Sequence, residues 1–262
     1  MRRLIVSGAV ALAAFVAGAG AIALAAGTEA PLPKRQWHFQ GPFGTYDRAA
    51  AQRGYQVYAE VCSACHSLSL VAYRNLMELG LTDNQVKGLI KDIVVPDLGD
   101  DGQPIERPAR LSDRFRKPFP NELAAAAANN GKAPPDLSVI VKAREGGADY
   151  MYALLTGYVP FDKLTPAQVK EFSVNKDDNF NTYFPGHKIA MAPPLADDKV
   201  TYADGTKSTL GQQASDVSEF LAWASEPWME DRKRTGVRVI LFLLALAGLM
   251  YAVKRQVWAD KH

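Results

Sequence analysis

The chain has 262 residues with 30 Lys+Arg against 28 Asp+Glu, a formal charge of +2, and only two cysteines. Two cysteines exclude a disulfide-framework domain, and the absence of a basic stripe interleaved with aromatics excludes a nucleic-acid surface. The charge is uneven: nine of the basic residues but only three of the acidic ones fall in residues 1–26 and 229–262, which leaves residues 27–228 at about −4.

Taken in chain order, Arg2 and Arg3 precede an alanine-rich apolar stretch from Leu4 to Ala26, with small residues at 23–26. This is the layout of a signal peptide, residues 1–26, cut after Ala25 or Ala26; left uncut, it would be an anchor. Either way the chain that follows is exported, and an oxidising compartment suits a chain with no cysteine left over for structural bridges.

A helix over 48–61, with Tyr55 and Tyr58 at i and i+3, delivers Cys62-Ser63-Ala64-Cys65-His66 at its end. Two thiols three apart can form thioethers to the two vinyl groups of one haem, and the adjacent imidazole is then held as the proximal iron ligand. Competing readings are weaker. Thiol exchange expects a strand before the motif, zinc needs a second ligand pair that His38, His187 and His262 do not supply, and a plain disulfide gives His66 no role.

Further along, Thr82 and Gln85 form a capping box for a helix carrying Val86, Leu89, Ile90 and Ile93 on one face. Asn121 opens an alanine-rich helix that stops at Asn129-Asn130-Gly131. Asp136 can cap a helix over 137–144, a short one follows over 149–156, and Thr165-Pro166 starts another. Residues 215–224 place Val217, Phe220, Leu221 and Ala224 on one face. Convincing strands are absent, a short one around 200–202 excepted, and 96–120 and 175–198 are long stretches without periodicity. The fold class is therefore mostly α, with long loops for which a large apolar cofactor would supply core. Near the C-terminus, residues 236–253 form an eighteen-residue apolar run of about 27 Å, enough to cross a bilayer. Basic residues flank both ends, so the exported N-terminal portion fixes the orientation: domain 27–230 outside, transmembrane anchor 231–254, and a tail over 255–262 in the cytoplasm.

The second axial ligand decides the chemistry. A strong ligand makes an electron carrier, and an open position favours a haem enzyme or sensor. Met77 is too close in sequence to His66 to fold across the ring, Met151 sits among apolar helical residues, and Met229 and Met250 belong to the membrane end. Met191, in a loop stiffened by Pro193 and Pro194, and His187 remain the candidates.

Several motifs carry a family resemblance. They are Arg53-Gly54-Tyr55-Gln56-Val57-Tyr58, Ala128-Asn129-Asn130-Gly131 leading into Pro134-Pro135-Asp136-Leu137-Ser138, and Leu154-Leu155-Thr156-Gly157-Tyr158. With them go Tyr183-Phe184-Pro185-Gly186-His187, Met191-Ala192-Pro193-Pro194 and Trp228-Met229-Glu230 before the anchor. Over essentially its whole length the chain resembles the cytochrome c1 family, the haem subunit of the quinol:cytochrome c oxidoreductase known as the cytochrome bc1 complex. The resemblance implies a class I cytochrome c-like domain with one haem c bound covalently by Cys62 and Cys65 and ligated by His66 and Met191. It implies Arg144 near a haem propionate, and Asn129 and Pro135 lining the haem pocket. Two cysteines that pair in some members are absent here.

The resemblance also implies a redox subunit that is no enzyme by itself, in the inner membrane of a bacterium with its haem domain periplasmic. It would sit beside cytochrome b and the Rieske iron-sulfur protein in a dimeric complex. One electron would pass from the Rieske centre to a soluble or membrane-tethered c-type cytochrome, with Asp97, Asp100, Asp101 and Glu106 speeding encounter.

Overall fold

In the computed structural model of the chain, residues 30–259 are described; the signal-peptide reading of residues 1–26 and the last three residues of the tail lie outside them. The helices are α1 (Arg48–Glu60), α2 (Asp83–Ile90), α3 (Glu122–Ala128), α4 (Ile140–Ala143), α5 (Gly147–Thr156), α6 (Pro166–Glu171), α7 (Leu210–Ser225) and α8 (Met229–Trp258). Two small antiparallel hairpins complete the regular structure, β1 (Val94–Leu98) with β2 (Pro104–Pro108) and β3 (Asn179–Phe180) with β4 (Lys188–Ile189).

Side-chain caps set most helix starts. Asp47 accepts from the Ala50 amide, Thr82 from Gln85, Asn121 from Ala124 and Thr165 from Gln168, each satisfying an amide that the helix itself leaves unpaired. Two expected boundaries shift for the same reason. α7 begins at Leu210 rather than 215 because Thr209 caps it, accepting from the Gln212 amide at 3.2 Å. α4 begins only at Ile140, because the Asp136 carboxylate is engaged with serines instead of a helix start.

The region 96–120 is not without regular structure: it holds β2 and the end of β1, paired from Val94 opposite Pro108 to Leu98 opposite Pro104. Pro96, Pro104 and Pro108 mask the strand pattern in the sequence, and a two-stranded hairpin tolerates them because its outer edges need no amide. Residues 200–202 form no strand; Val200 and Tyr202 are instead buried in the core.

The core is the crossing of α1 on α7, with α4 and α5 also packed on α7. Gly54 makes the crossing close: a Cβ there would drive into the Asp216 carbonyl oxygen and lie 2.7 Å from the Phe220 Cβ. Around the crossing, Tyr55, Tyr58, Tyr73, Phe115, Phe220 and Trp223 form one aromatic cluster, with Tyr73 stacked on Phe115 at 4.6 Å. Each such side chain contributes about 2 to 3 kcal/mol of burial and each favourable ring pair about 0.5 to 1.5 more. Arg53 grips the buried Asp216 with two hydrogen bonds, 2.9 and 3.0 Å, and reaches Asp204 with its remaining nitrogen. This pair fixes the rotation of α1 relative to α7, and with it where the end of α1 points.

Among the described residues, α8 is the one helix long and apolar enough to cross a membrane. Its 30 residues give about 45 Å, and its first turns are bolted to the domain. Glu230 accepts from the Tyr46 amide (2.9 Å) and pairs with Arg48 (2.9 Å), while Lys233 donates to the carbonyls of Phe39 (2.6 Å) and Gly44 (3.0 Å). Tyr46 in turn donates to the Ala222 and Glu226 carbonyls at the end of α7.

Candidate functional site

α1 ends at Val61, whose amide bonds back to Val57, and the chain tightens into a 3-10 turn over Cys62–Ala64. The amides of Cys65 and His66 both donate to the Cys62 carbonyl, at 3.1 and 2.8 Å. The Tyr58 hydroxyl donates to the His66 carbonyl at 3.1 Å. The turn therefore presents both cysteines and the histidine from one rigid corner. Neither cysteine is bridged. Cys62 packs against the core cluster, and burial with the Cys65 thiol beside it pushes its thiol up to about 12. The motif follows the C-terminal end of α1 rather than a strand, so the thioredoxin-like reading, which needs the pair at a helix start, gains no support. No group of three His, Cys, Asp or Glu side chains able to hold a metal ion occurs among the described residues, so the zinc reading gains no support.

His66 Nδ1 lies 2.8 Å from the Pro135 carbonyl oxygen. A carbonyl can only accept, so Nδ1 carries the proton and the Nε2 lone pair is left for a metal. Burial lowers the imidazole pKa, opposed by the Pro135 bond and by Asp136, and a neutral ring is the ligating form. The donor set thus fits a haem attached at this turn: two unbridged thiols and an imidazole oriented by Pro135, all presented from one turn.

Asp136, expected as a helix cap, instead ties the site together. Its Oδ2 accepts from the Ser67 hydroxyl (2.8 Å) and the Ser69 amide (3.0 Å), and its Oδ1 from the Ser138 amide (2.8 Å). Burial alone would raise this carboxyl, but the bonds from Ser138 and Ser69 outweigh it and hold it at about 2. Against about 3.9 in the unfolded chain, this stabilisation is complete above about pH 4 and is lost as pH falls through about 2. Asp136→Asn is expected to cost about 1 to 2 kcal/mol at neutral pH, the carboxyl being partly solvated. It should also flatten the acid limb of a plot of unfolding midpoint against pH; an unchanged acid limb would refute the assignment.

Met191 lies just beyond β4, half-buried, with its carbonyl accepting from the Tyr158 hydroxyl at 3.0 Å. His187, the rival candidate, is engaged elsewhere. Its ring centroid is 4.2 Å from that of Phe172 and stacks on Phe180 at 5.3 Å, and its Nδ1 is 3.2 Å from the Asn181 carbonyl. Met151 is core, as its helical surroundings suggested, and Met77 is a surface residue of the 3-10 turn Tyr73–Leu79.

The remaining expected site residues are less tightly joined. Pro135 meets His66 through its carbonyl. The Asn129 amide donates to Ala125 at 2.8 Å and closes α3. Arg144 is exposed at the end of α4, bonded to the Ala143 carbonyl. Tyr58, Tyr158 and the fully buried Asn181 were missed as site residues. A Ser-x-Ser after the motif and an Asp-x-Ser downstream offered a local signal for Asp136, but nothing local marks Tyr158.

Residues 37–261 match the family described as the Cytochrome C1 family. Cytochrome c1 of Rhodospirillum rubrum is 45% identical over 98% of this chain and 99% of its own length. The Candida albicans protein named "Cytochrome b-c1 complex catalytic subunit, mitochondrial" is 47% identical over 86% of this chain and 77% of its own length. A protein named "Cytochrome b/c1" from Bradyrhizobium diazoefficiens is 46% identical over 90% of this chain, which spans only 36% of that longer relative.

Proposed function

The chain belongs to the cytochrome c1 family, the haem-carrying electron-transfer subunits of the cytochrome bc1 complex, and from that premise we propose that it passes single electrons from a Rieske iron-sulfur protein to a c-type cytochrome. The observation that carries this reading is His66, oriented by the Pro135 carbonyl, beside two unbridged thiols. Cys62 and Cys65 would hold the haem as thioethers, and His66, through Nε2, and Met191 would ligate its iron. A haem so held supplies reversible one-electron exchange, and methionine–histidine ligation raises its potential.

The protein's own residues do the rest. Pro135 and Tyr58 hold His66, and Arg144 and Asn129 would face the cofactor's edge. Because no substrate bond is made or broken, the subunit is no enzyme by itself. Of the acidic residues expected to steer a basic carrier, Asp97 is bonded to Arg107, so steering would rest on the exposed Asp100, Asp101 and Glu106.

α8 would anchor the domain in the inner membrane, single-pass, with the domain on the periplasmic side and the complex a dimer. The bolted junction supports a fixed subunit over a tethered shuttle, which needs a flexible linker. Purification in mild detergent tests this. Cytochrome b and a Rieske protein are expected to copurify with the chain, whereas isolation alone with full electron-transfer activity would contradict the assignment.

A further inference from the structure

We propose that Tyr158 is a positioning residue for the distal ligand: its hydroxyl anchors the main chain of Met191 to the domain scaffold and so sets how firmly that methionine is held. This rests on the reading of Met191 as an axial ligand.

The support is a chain of contacts running from the core to the Met191 loop. α5 packs on α7 and ends at Gly157, where a Cβ would come within 2.5 Å of the Tyr183 ring and 2.7 Å of the Ala153 carbonyl. That close approach lets the next residue, Tyr158, form a bridge with Asn181, flanked by Thr182 N to Gly157 O (2.9 Å) and Val159 N to Phe180 O (3.1 Å). Asn181 is fully buried, donates to the Leu154 carbonyl (2.7 Å) and accepts from the Tyr183 amide (3.0 Å). Its own amide bonds the His187 carbonyl at 2.8 Å. His187 sits at φ +61, a left-handed conformation costly for a side chain, and is kept there by Phe172, Phe180 and Asn181.

The turn from Thr182 to His187 is thus locked to α5. Beyond Ile189 that lock ends, and the strand pairing with it. From there the main chain enters Ala190-Met191-Ala192-Pro193-Pro194, where the proline nitrogens can donate nothing. The Tyr158 bond at 3.0 Å is the tie between this stretch and the scaffold at Met191 itself. The pair is part-buried, and separating it takes a partner from the Met191 carbonyl and loosens the main chain there. Phenylalanine at 158 keeps the ring and removes only the hydroxyl, so the bulk of the side chain is conserved.

The test is Tyr158→Phe in the haem-loaded, detergent-solubilised protein, read by the methionine–iron charge-transfer band, the midpoint potential and carbon monoxide uptake after reduction. Loss of the bond is expected to raise the carbon monoxide-reactive fraction about tenfold, weaken the band and lower the potential, with the thermal midpoint nearly unchanged. A wild-type band with identical band, potential and carbon monoxide refusal in Tyr158→Phe overturns the proposal while leaving Met191 as ligand. A wild-type protein lacking the band overturns both. If Tyr158→Phe does not assemble, a ring-fluorinated tyrosine at 158 keeps the shape and strengthens the donor; its potential should move, and an unmoved potential overturns the role.

Discussion

Met191→Leu is expected to turn a closed haem into one that binds carbon monoxide promptly on reduction. Leucine conserves volume and apolarity, so packing around the loop changes little, and Tyr158 can still bond the backbone carbonyl at this position. What disappears is the thioether, the soft donor that favours ferrous iron and raises the potential. The potential should fall by on the order of 0.1 V or more, within the ~0.8 V that axial ligands command, and electron transfer to the c-type cytochrome should fall with it. Met151→Leu is the control: Met151 is buried in the core and its replacement should leave spectrum and potential alone. If Met191→Leu refuses carbon monoxide and keeps its potential, the distal ligand is another residue, and His187→Ala becomes the decisive variant.

Gly54→Ala is expected to destabilise the domain by about 3 kcal/mol or more, at the upper end for overpacking, because the new methyl meets backbone that cannot rotate away. Separating α1 from α7 would also loosen the Arg53–Asp216 grip and move the corner that carries Cys62. Haem content should therefore fall along with the unfolding midpoint of the solubilised protein. Gly88→Ala, in α2 where a Cβ meets nothing within 4 Å, should instead stabilise by about 0.5 to 1 kcal/mol through helix propensity. Equal effects at both glycines would show that α1 and α7 do not cross as described.

The parts of this structure that could be read from the sequence are those whose cause is local. The rigid Cys62–His66 turn is five consecutive residues, and the caps at Thr82, Asn121 and Thr165 each depend on a side chain reaching an amide three residues on. The hairpin of β1 and β2 escaped because its stability lies across the strands, in partners such as Arg107 with Asp97 and Asp113, while its prolines argue locally against a strand. Asp136 fits a helix cap as well as it fits a serine cluster, and only the fold brings Ser67 and Ser69 to it. Tyr158 and Met191 are 33 residues apart, joined by a hydrogen bond for which no spacing rule exists.

The bolting of Glu230 and Lys233 to the loop ahead of α1 makes helix register a compass bearing for the whole domain. One residue inserted between Arg234 and Gly236, between the bolts and the apolar run, would turn the Cys62–His66 corner by about 100° around the α8 axis relative to that run and shift it by about 1.5 Å along the axis. The head is a fixed post whose azimuth is written in the residue count of its stem, and any partner it meets must come to the face that this count presents.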